Sequence, residues 1–308
     1  MKLSELVARF PHLKLVRDGT FLSFGFCENK RTPGLLIYLN REDYVKNAKN
    51  NVNVSSVLTT PAIAEHLHTS NKYGLVTTED PAKDFVEIHN YCVRNGLLYQ
   101  TAEFETEIGD CCAISTQAHI AGKNVKIGRG TVIEPGAIIM ENVIIGDDCV
   151  IGANTVIGSR GFQFCKSGND RIYMEHTGGV IIGNRVEILS GVTIASGLIE
   201  PTQIHDRVKI DNQVHIAHSD IIEESTMIAA GVKIGGSAHI GKSVWIGLNA
   251  TICSLVDIGD EAYICMGAVV ANKIKSAEKV SGNFAENHIE RILREKKVQR
   301  FFRRDKTQ

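Results

Sequence analysis

The chain has 308 residues, 43% of them hydrophobic, and a net charge of −1, which allows two or three structural units with buried cores. The balanced charge favours no nucleic-acid partner, and no apolar run is long enough to span a membrane. The opening Met1-Lys2-Leu3-Ser4-Glu5-Leu6 lacks a signal-peptide core, and eight cysteines without a CxxC pair suit reduced thiols, so the expected location is the cytoplasm.

Residues 1–100 carry no long repeat. Apolar spacing predicts a helix over 4–10, a strand over 34–40, a helix over 42–49 and a strand over 54–59. A helix over 61–67, a strand over 73–77 and a longer amphipathic helix over 81–95 follow. Strands alternating with short helices indicate a small α/β domain.

Residues 101–282 are organised differently. From Ile204 isoleucine recurs at every sixth position to Ile264, and Val270 takes the next step. The same phase holds at Ile108, Ile114 and Ile120, from Ile127 to Ile157, and from Ile182 to Ile194. Neither a helix nor an ordinary sheet has this period, whereas a β-helix of hexapeptide units does. Three units make one triangular coil of 18 residues with the isoleucines stacked inside, and the repeat positions supply eight coils. Ten isoleucines precede a glycine, as in Ile145-Gly146, where a side chain would obstruct a tight corner. The period breaks over 158–181, an insertion with Phe162, Phe164, Tyr173 and His176. A long loop leaving a rigid repeat is a usual place for function.

The tail, 283–308, reads as a basic helix from Phe284 with an apolar stripe at Ala285, Ile289, Leu293, Val298 and Phe301. It suits packing in an assembly, or docking an acidic carrier protein or the phosphates of coenzyme A.

The densest group of polar side chains is Asp211-Asn212-Gln213-Val214-His215-Ile216-Ala217-His218. Ile216 points inward, so His215 points outward by alternation, and His218 is placed outward at a corner. An outward histidine near neutral pKa is a candidate general base. Gly236 lies 18 residues past His218, one coil on. Its amide is a candidate donor to the oxyanion formed when a thioester is attacked.

These residues resemble the hexapeptide-repeat acyltransferases, and among them the UDP-3-O-acylglucosamine N-acyltransferases of lipid A synthesis. The resemblance covers nearly the whole length and implies a left-handed β-helix, an α/β nucleotide-sugar-binding domain and a homotrimer with active sites between subunits. It implies His218 as general base and the Gly236 amide as oxyanion donor; Asp211, in the same stretch, is a candidate to orient or polarise the site. It also implies substrate-binding roles for Asn40, Tyr44, Phe162, Phe164, Asn212 and His215, the phenylalanines through Gly161-Phe162-Gln163-Phe164. No metal or bound cofactor is implied; the donor is acyl-coenzyme A or an acyl carrier protein, and the acceptor a nucleotide-linked amino sugar.

Three positions depart from the family pattern. Ser254-Leu255-Val256-Asp257-Ile258-Gly259 puts leucine where the family has a histidine beside the carrier arm. Arg171 to His176 replaces the family's Trp-x-Lys-Ile-Pro-Gln, and Ile37 occupies the uracil-stacking position. The expectation is therefore a short acyl-coenzyme A donor and a surface-polysaccharide sugar, with the lipid A reaction as the alternative. Two further classes are a zinc hydratase using His205, His215, His218 or His239 between subunits, and a non-catalytic sugar-nucleotide scaffold.

Overall fold

The computed structural model describes residues 1–27, 32–67, 72–98, 103–282, 285 and 287–304, with side chains as far as residue 296. Helix α1 (Leu3–Arg9) is followed by β1 (Lys14–Arg17) and β2 (Ser23–Phe24), two strands missing from the expected set. Leu15 and Val16 of β1 are both exposed, so no alternation marks it, and β2 is too short for a pattern. β3 (Leu35–Leu39) leads to a 3-10 turn at Glu42–Tyr44, which replaces the first part of the helix expected over 42–49, and then to α2 (Val45–Asn50). β4 (Val54–Thr59), α3 (Pro61–Glu65), β5 (Gly74–Thr77) and α4 (Pro81–Arg94) complete the domain.

α3 and α4 start where local chemistry dictates. Thr60 and Asp80 cap the amides of Ile63 and Lys83, and each is followed by a proline at the first helical position. The sheet order is β1-β5-β4-β3-β2, with only β1 antiparallel. The central strands are buried on both faces, which is why they read as continuous apolar runs.

The second domain is a left-handed parallel β-helix. Two walls have eight strands and the third has nine, the ninth being Lys279–Val280 beyond the eight expected coils. The register advances by one coil per 18 residues, as His215 beside Lys233 and Ile216 beside Ile234 show. From Ile127 to Ile264 the repeat isoleucines are at most 2% exposed, so the stack is a dry core. Burying each such side chain contributes roughly 1.5–3 kcal/mol. The first coil departs from the expected stack: Ile108 is 50% exposed, because an end strand has a neighbour on one side only.

Corners use two residues for two purposes. The glycine after isoleucine permits close approach: a Cβ on Gly146 would lie 2.6 Å from the carbonyl oxygen of Gly183 in the next coil. The left-handed backbone falls two residues later, on residues such as Asp148, Gln213, Ser219 and Ser237.

The two long interruptions of the repeat leave from the same edge of the prism. Residues between Val156–Ser159 and Val180–Ile182 form a hairpin of Phe164–Ser167 against Asp170–Tyr173. In the following coil a shorter excursion separates Thr193–Ala195 from Thr202–Ile204. Both reach the first domain. Met174 and Leu198 are buried in its core with Phe24 and Phe85, and Thr32 hydrogen-bonds Glu200. Asn90 of α4 donates to the Tyr173 carbonyl at 2.7 Å and accepts from the Glu175 amide at 2.9 Å.

The tail helix α5 runs His288–Arg304. Phe284, the start expected for it, lies outside the described residues, as do the side chains of Val298 and Phe301. Ile289 and Leu293 are 63% and 54% exposed, so the described part of the stripe is open to solvent. No described helix is long and apolar enough to cross a membrane. The eight cysteines are free thiols.

Candidate active site

Strand His215–Ile216 ends one wall and Ile221–Ile222 begins the next. His218 occupies the corner between them, half-buried, just ahead of Ser219 with its left-handed φ of 60°. This is the same edge of the prism from which both insertions leave.

The imidazole rests on the next coil. A Cβ on Gly236 would come within 2.6 Å of His218 Cε1 and 2.7 Å of Nε2, so only glycine admits the ring in this position. The coils are locked here by Ser237 donating to the His218 carbonyl at 2.9 Å and Leu255 donating to the Gly236 carbonyl at 3.1 Å. At some other corners the equivalent amide has a side-chain acceptor, as Arg129 on Asp147, Asn184 on Asp206, Ala230 on Asp211 and Lys242 on Asp260, whereas those of Glu224, Leu248 and Ser254 have none among the described residues. The Gly236 amide donates to none of the described residues. A free amide beside a histidine is the arrangement expected for stabilising a developing oxyanion next to a base.

The insertion closes over the other side of the ring. His176 meets His218 edge-to-face at 5.5 Å and stacks on Tyr173 at 5.4 Å. The Tyr173 hydroxyl lies 2.7 Å from His176 Nδ1. Arg160 lies 4.1 Å above the Tyr173 ring and pairs with Glu175 at 3.8 Å. Phe164 packs on Tyr173 and Phe162 on Phe164, so a column of rings runs from the hairpin to the His218 corner. Phe162 is 88% exposed and lines an open cleft with Phe164, Gln163 and Arg171. Gly161 makes the turn possible, since a Cβ there would sit 2.3 Å from His176 Nε2.

Burial holds both histidines in the neutral form. Desolvation, then the neighbouring His218, pushes His176 down to about 4. Desolvation lowers His218 as well. His176 Nε2 and His218 Nδ1 are buried without a hydrogen-bond partner among the described residues. His176 is the residue of this corner to which the sequence assigned no role. Its only signal was its place in an insertion, because neither its number nor its neighbours relate it to His218.

Other expected site residues lie elsewhere. Asp211 and Asn212 belong to the preceding corner. Asp211 accepts from the Asn212 and Ala230 amides at 2.7 and 3.1 Å, and Asn212 accepts from the Ser190 amide at 3.0 Å. Within this chain Asp211 therefore caps a turn and does not orient His218. His215 is half-buried on a wall, its pKa lowered by burial and then by Lys233 beside it. Asn40 and Tyr44 lie on the exposed turn after β3, with Arg41 over the Tyr44 ring, and no contact among the described residues joins them to His218. Ile37 is 0% exposed, so it packs the domain core and has no face for a base. His205 and His239 pair with Glu223, and His239 also with Asp257, on another wall. Among the described residues no group of three His, Cys, Asp or Glu side chains is placed to hold a metal.

Comparison with known proteins fits this geometry. Residues 124–159 match the bacterial transferase hexapeptide family, six repeats. Over 64 residues the chain is 48% identical to the UDP-3-O-acylglucosamine N-acyltransferase of Shewanella sp. MR-4, covering 21% of this chain and 19% of that protein. Over 122 residues it is 34% identical to the enzyme of the same name from Herminiimonas arsenicoxydans, covering 40% and 35%. The matched part thus spans about a fifth to a third of these relatives' length. The UDP-N-acetylglucosamine acyltransferase of Campylobacter jejuni superposes with a TM-score of 0.52 at 23% identity, over 62% of this chain and 78% of that one. The Arabidopsis UDP-N-acetylglucosamine acyltransferase gives 0.52 at 24% identity, over 59% and 63%. These superpositions support the β-helical fold.

Proposed function

We propose that this hexapeptide-repeat protein is an N-acyltransferase that moves an acyl group from a phosphopantetheine thioester to the amine of a UDP-linked, 3-O-acylated glucosamine. The observation that carries the reading is the neutral, half-buried imidazole of His218 lying on the α-carbon of Gly236, whose amide has no acceptor among the described residues. The amine attacks the thioester carbon and forms the C–N bond. His218 Nε2 removes one amine proton, and the Gly236 N–H meets the oxygen as it gains charge. Collapse breaks the C–S bond, and the proton passes from His218 to the departing thiolate. His176 and the ring column exclude water beside the base, which raises the worth of each electrostatic contact.

The acceptor follows the names of the relatives, which favour the lipid A alternative over the surface-polysaccharide sugar. The short acyl-coenzyme A reading keeps one observation in its favour. Leu255, 80% exposed one coil beyond Gly236, stands where the resemblance calls for a histidine beside the carrier arm. A homotrimer is part of the proposal, because one chain leaves the His218 corner as an edge, whereas packed walls would enclose it.

The test offers the purified protein two donors, acetyl-coenzyme A and hydroxyacyl carrier protein, with UDP-3-O-acylglucosamine or a dTDP-amino sugar as acceptor. Turnover of the UDP substrate with the carrier protein is expected. Turnover only with acetyl-coenzyme A and the dTDP sugar transfers the assignment to the second reading, and thioester consumption with neither refutes both.

A further inference from the structure

One buried group inside the prism is chemically out of place. The position two residues before each repeat isoleucine is Val, Ala, Thr or Cys throughout the coils, except at Asp220, before Ile222. Asp220 is 0% exposed, and its Oδ1 accepts from the Ala238 amide at 2.8 Å. Its Oδ2 is buried without a hydrogen bond among the described residues, although the Ala217 amide, like that of Ala238, lies close enough to the carboxyl to oppose part of the effect of burial.

Threonines at the same position show what a polar group does there. Thr131 accepts from the Cys149 amide at 3.2 Å and donates to the Gly146 carbonyl at 3.0 Å. Thr226 accepts from Val244 at 3.0 Å and donates to Gly241 at 2.7 Å. Thr155 accepts from Val192 and donates to Leu189. In these three, the accepted amide and the carbonyl that receives the proton are three residues apart on the next coil; Thr202, beside the shorter excursion, instead accepts from the Ser219 amide and donates to the Ala195 carbonyl. Asp220 makes the accepting half of this pattern with Ala238. The carbonyl three residues earlier is that of Gly235, and its peptide partner is the N–H of Gly236.

We propose that Asp220 is a positioning residue: its carboxylic acid is protonated and donates from Oδ2 to the Gly235 carbonyl, holding and polarising the peptide whose N–H faces the reaction. The proposal rests on the reading of the Gly236 amide as oxyanion donor. Only a protonated carboxyl can both accept from one amide and donate to a carbonyl. Burial pushes the pKa of Asp220 well above the usual carboxylate range, consistent with a neutral acid at pH 7. A hydrogen bond to a peptide oxygen polarises the peptide and strengthens its N–H as a donor.

The test needs no ligand for its first readout. The chain contains two Gly-Gly peptides, Gly178–Gly179 and Gly235–Gly236, so glycine labelled with ¹³C at the carbonyl and ¹⁵N gives two coupled signals. Asp220→Val uses the side chain already found at Val208 and Val214, and Asp220→Ala, as at Ala238, serves if the valine variant folds poorly. Either is expected to move the Gly235–Gly236 signal, leave Gly178–Gly179 in place, and lower kcat about tenfold with KM unchanged. Asp220→Asn, which keeps an acceptor and a donor, is expected to restore both signal and turnover. Infrared spectra should show a protonated-acid band at pH 7 that Asp220→Asn removes. An ionised Asp220, or an unmoved Gly235–Gly236 signal in the valine or alanine variant, overturns the proposal. A moved signal with unchanged kcat keeps the hydrogen bond and refutes the role of the Gly236 amide in turnover.

Discussion

Gly236→Ala isolates the placement of His218 from every other feature of the corner. The added methyl would lie 2.6 Å from Cε1, 2.7 Å from Nε2 and 3.0 Å from Nδ1 of His218. Carbon atoms rest at about 3.5–4.0 Å, so the ring must withdraw by about 1 Å. The backbone N–H is retained, and the φ of Gly236 is not left-handed, so alanine adds no backbone strain. A displacement of about 1 Å in a reacting group can cost about 10²-fold in rate. Stability should change little, because the gain of about 0.4–1 kcal/mol that alanine brings from the unfolded chain offsets the cost of pressing the ring toward His176. The assay follows thiol release for kcat and calorimetry for Tm. Gly122→Ala is the control, since a methyl there meets nothing within 4 Å. If Gly236→Ala keeps kcat within about threefold of wild type at unchanged Tm, the ring does not act from this position.

His218→Ala should lower kcat at least about a hundredfold with little change in Tm, and His215→Ala should do less; retention of more than about a tenth of kcat places the base elsewhere. Ile228→Asp puts a charge in the isoleucine stack at a position 2% exposed and should cost several kcal/mol, so a folded protein of wild-type Tm would show the register to be wrong. His89 and His176 are both pushed down to about 4 chiefly by burial, so the unfolded chain binds protons first as pH falls. Their contribution to stability is present above the ordinary histidine range and is lost as pH falls toward 4; Tm should drop across that window, and less steeply in His176→Gln. A slope unchanged in that variant would remove His176 from the account.

The six-residue period determined the β-helix by itself. Each isoleucine must point inward once per side of the triangle, and that demand is local and repeats without regard to the rest of the chain. The caps of α3 and α4 were equally legible, since Thr60-Pro61 and Asp80-Pro81 satisfy helix ends within a few residues. β1 was not, because its side chains are largely exposed and pairing with β5 alone makes it a strand. The stretch from Asp211 to His218 looked like one site in sequence, but one wall of the prism separates its two ends. Asp211 caps one corner while His218 stands at the next. His176 joins His218 only because the insertion leaves the same edge two coils away and is pinned to α4 through Asn90. Period and composition specify what one side chain needs from its own coil. Which corners share an edge, and so which rings and amides meet, is decided by stacking in three dimensions.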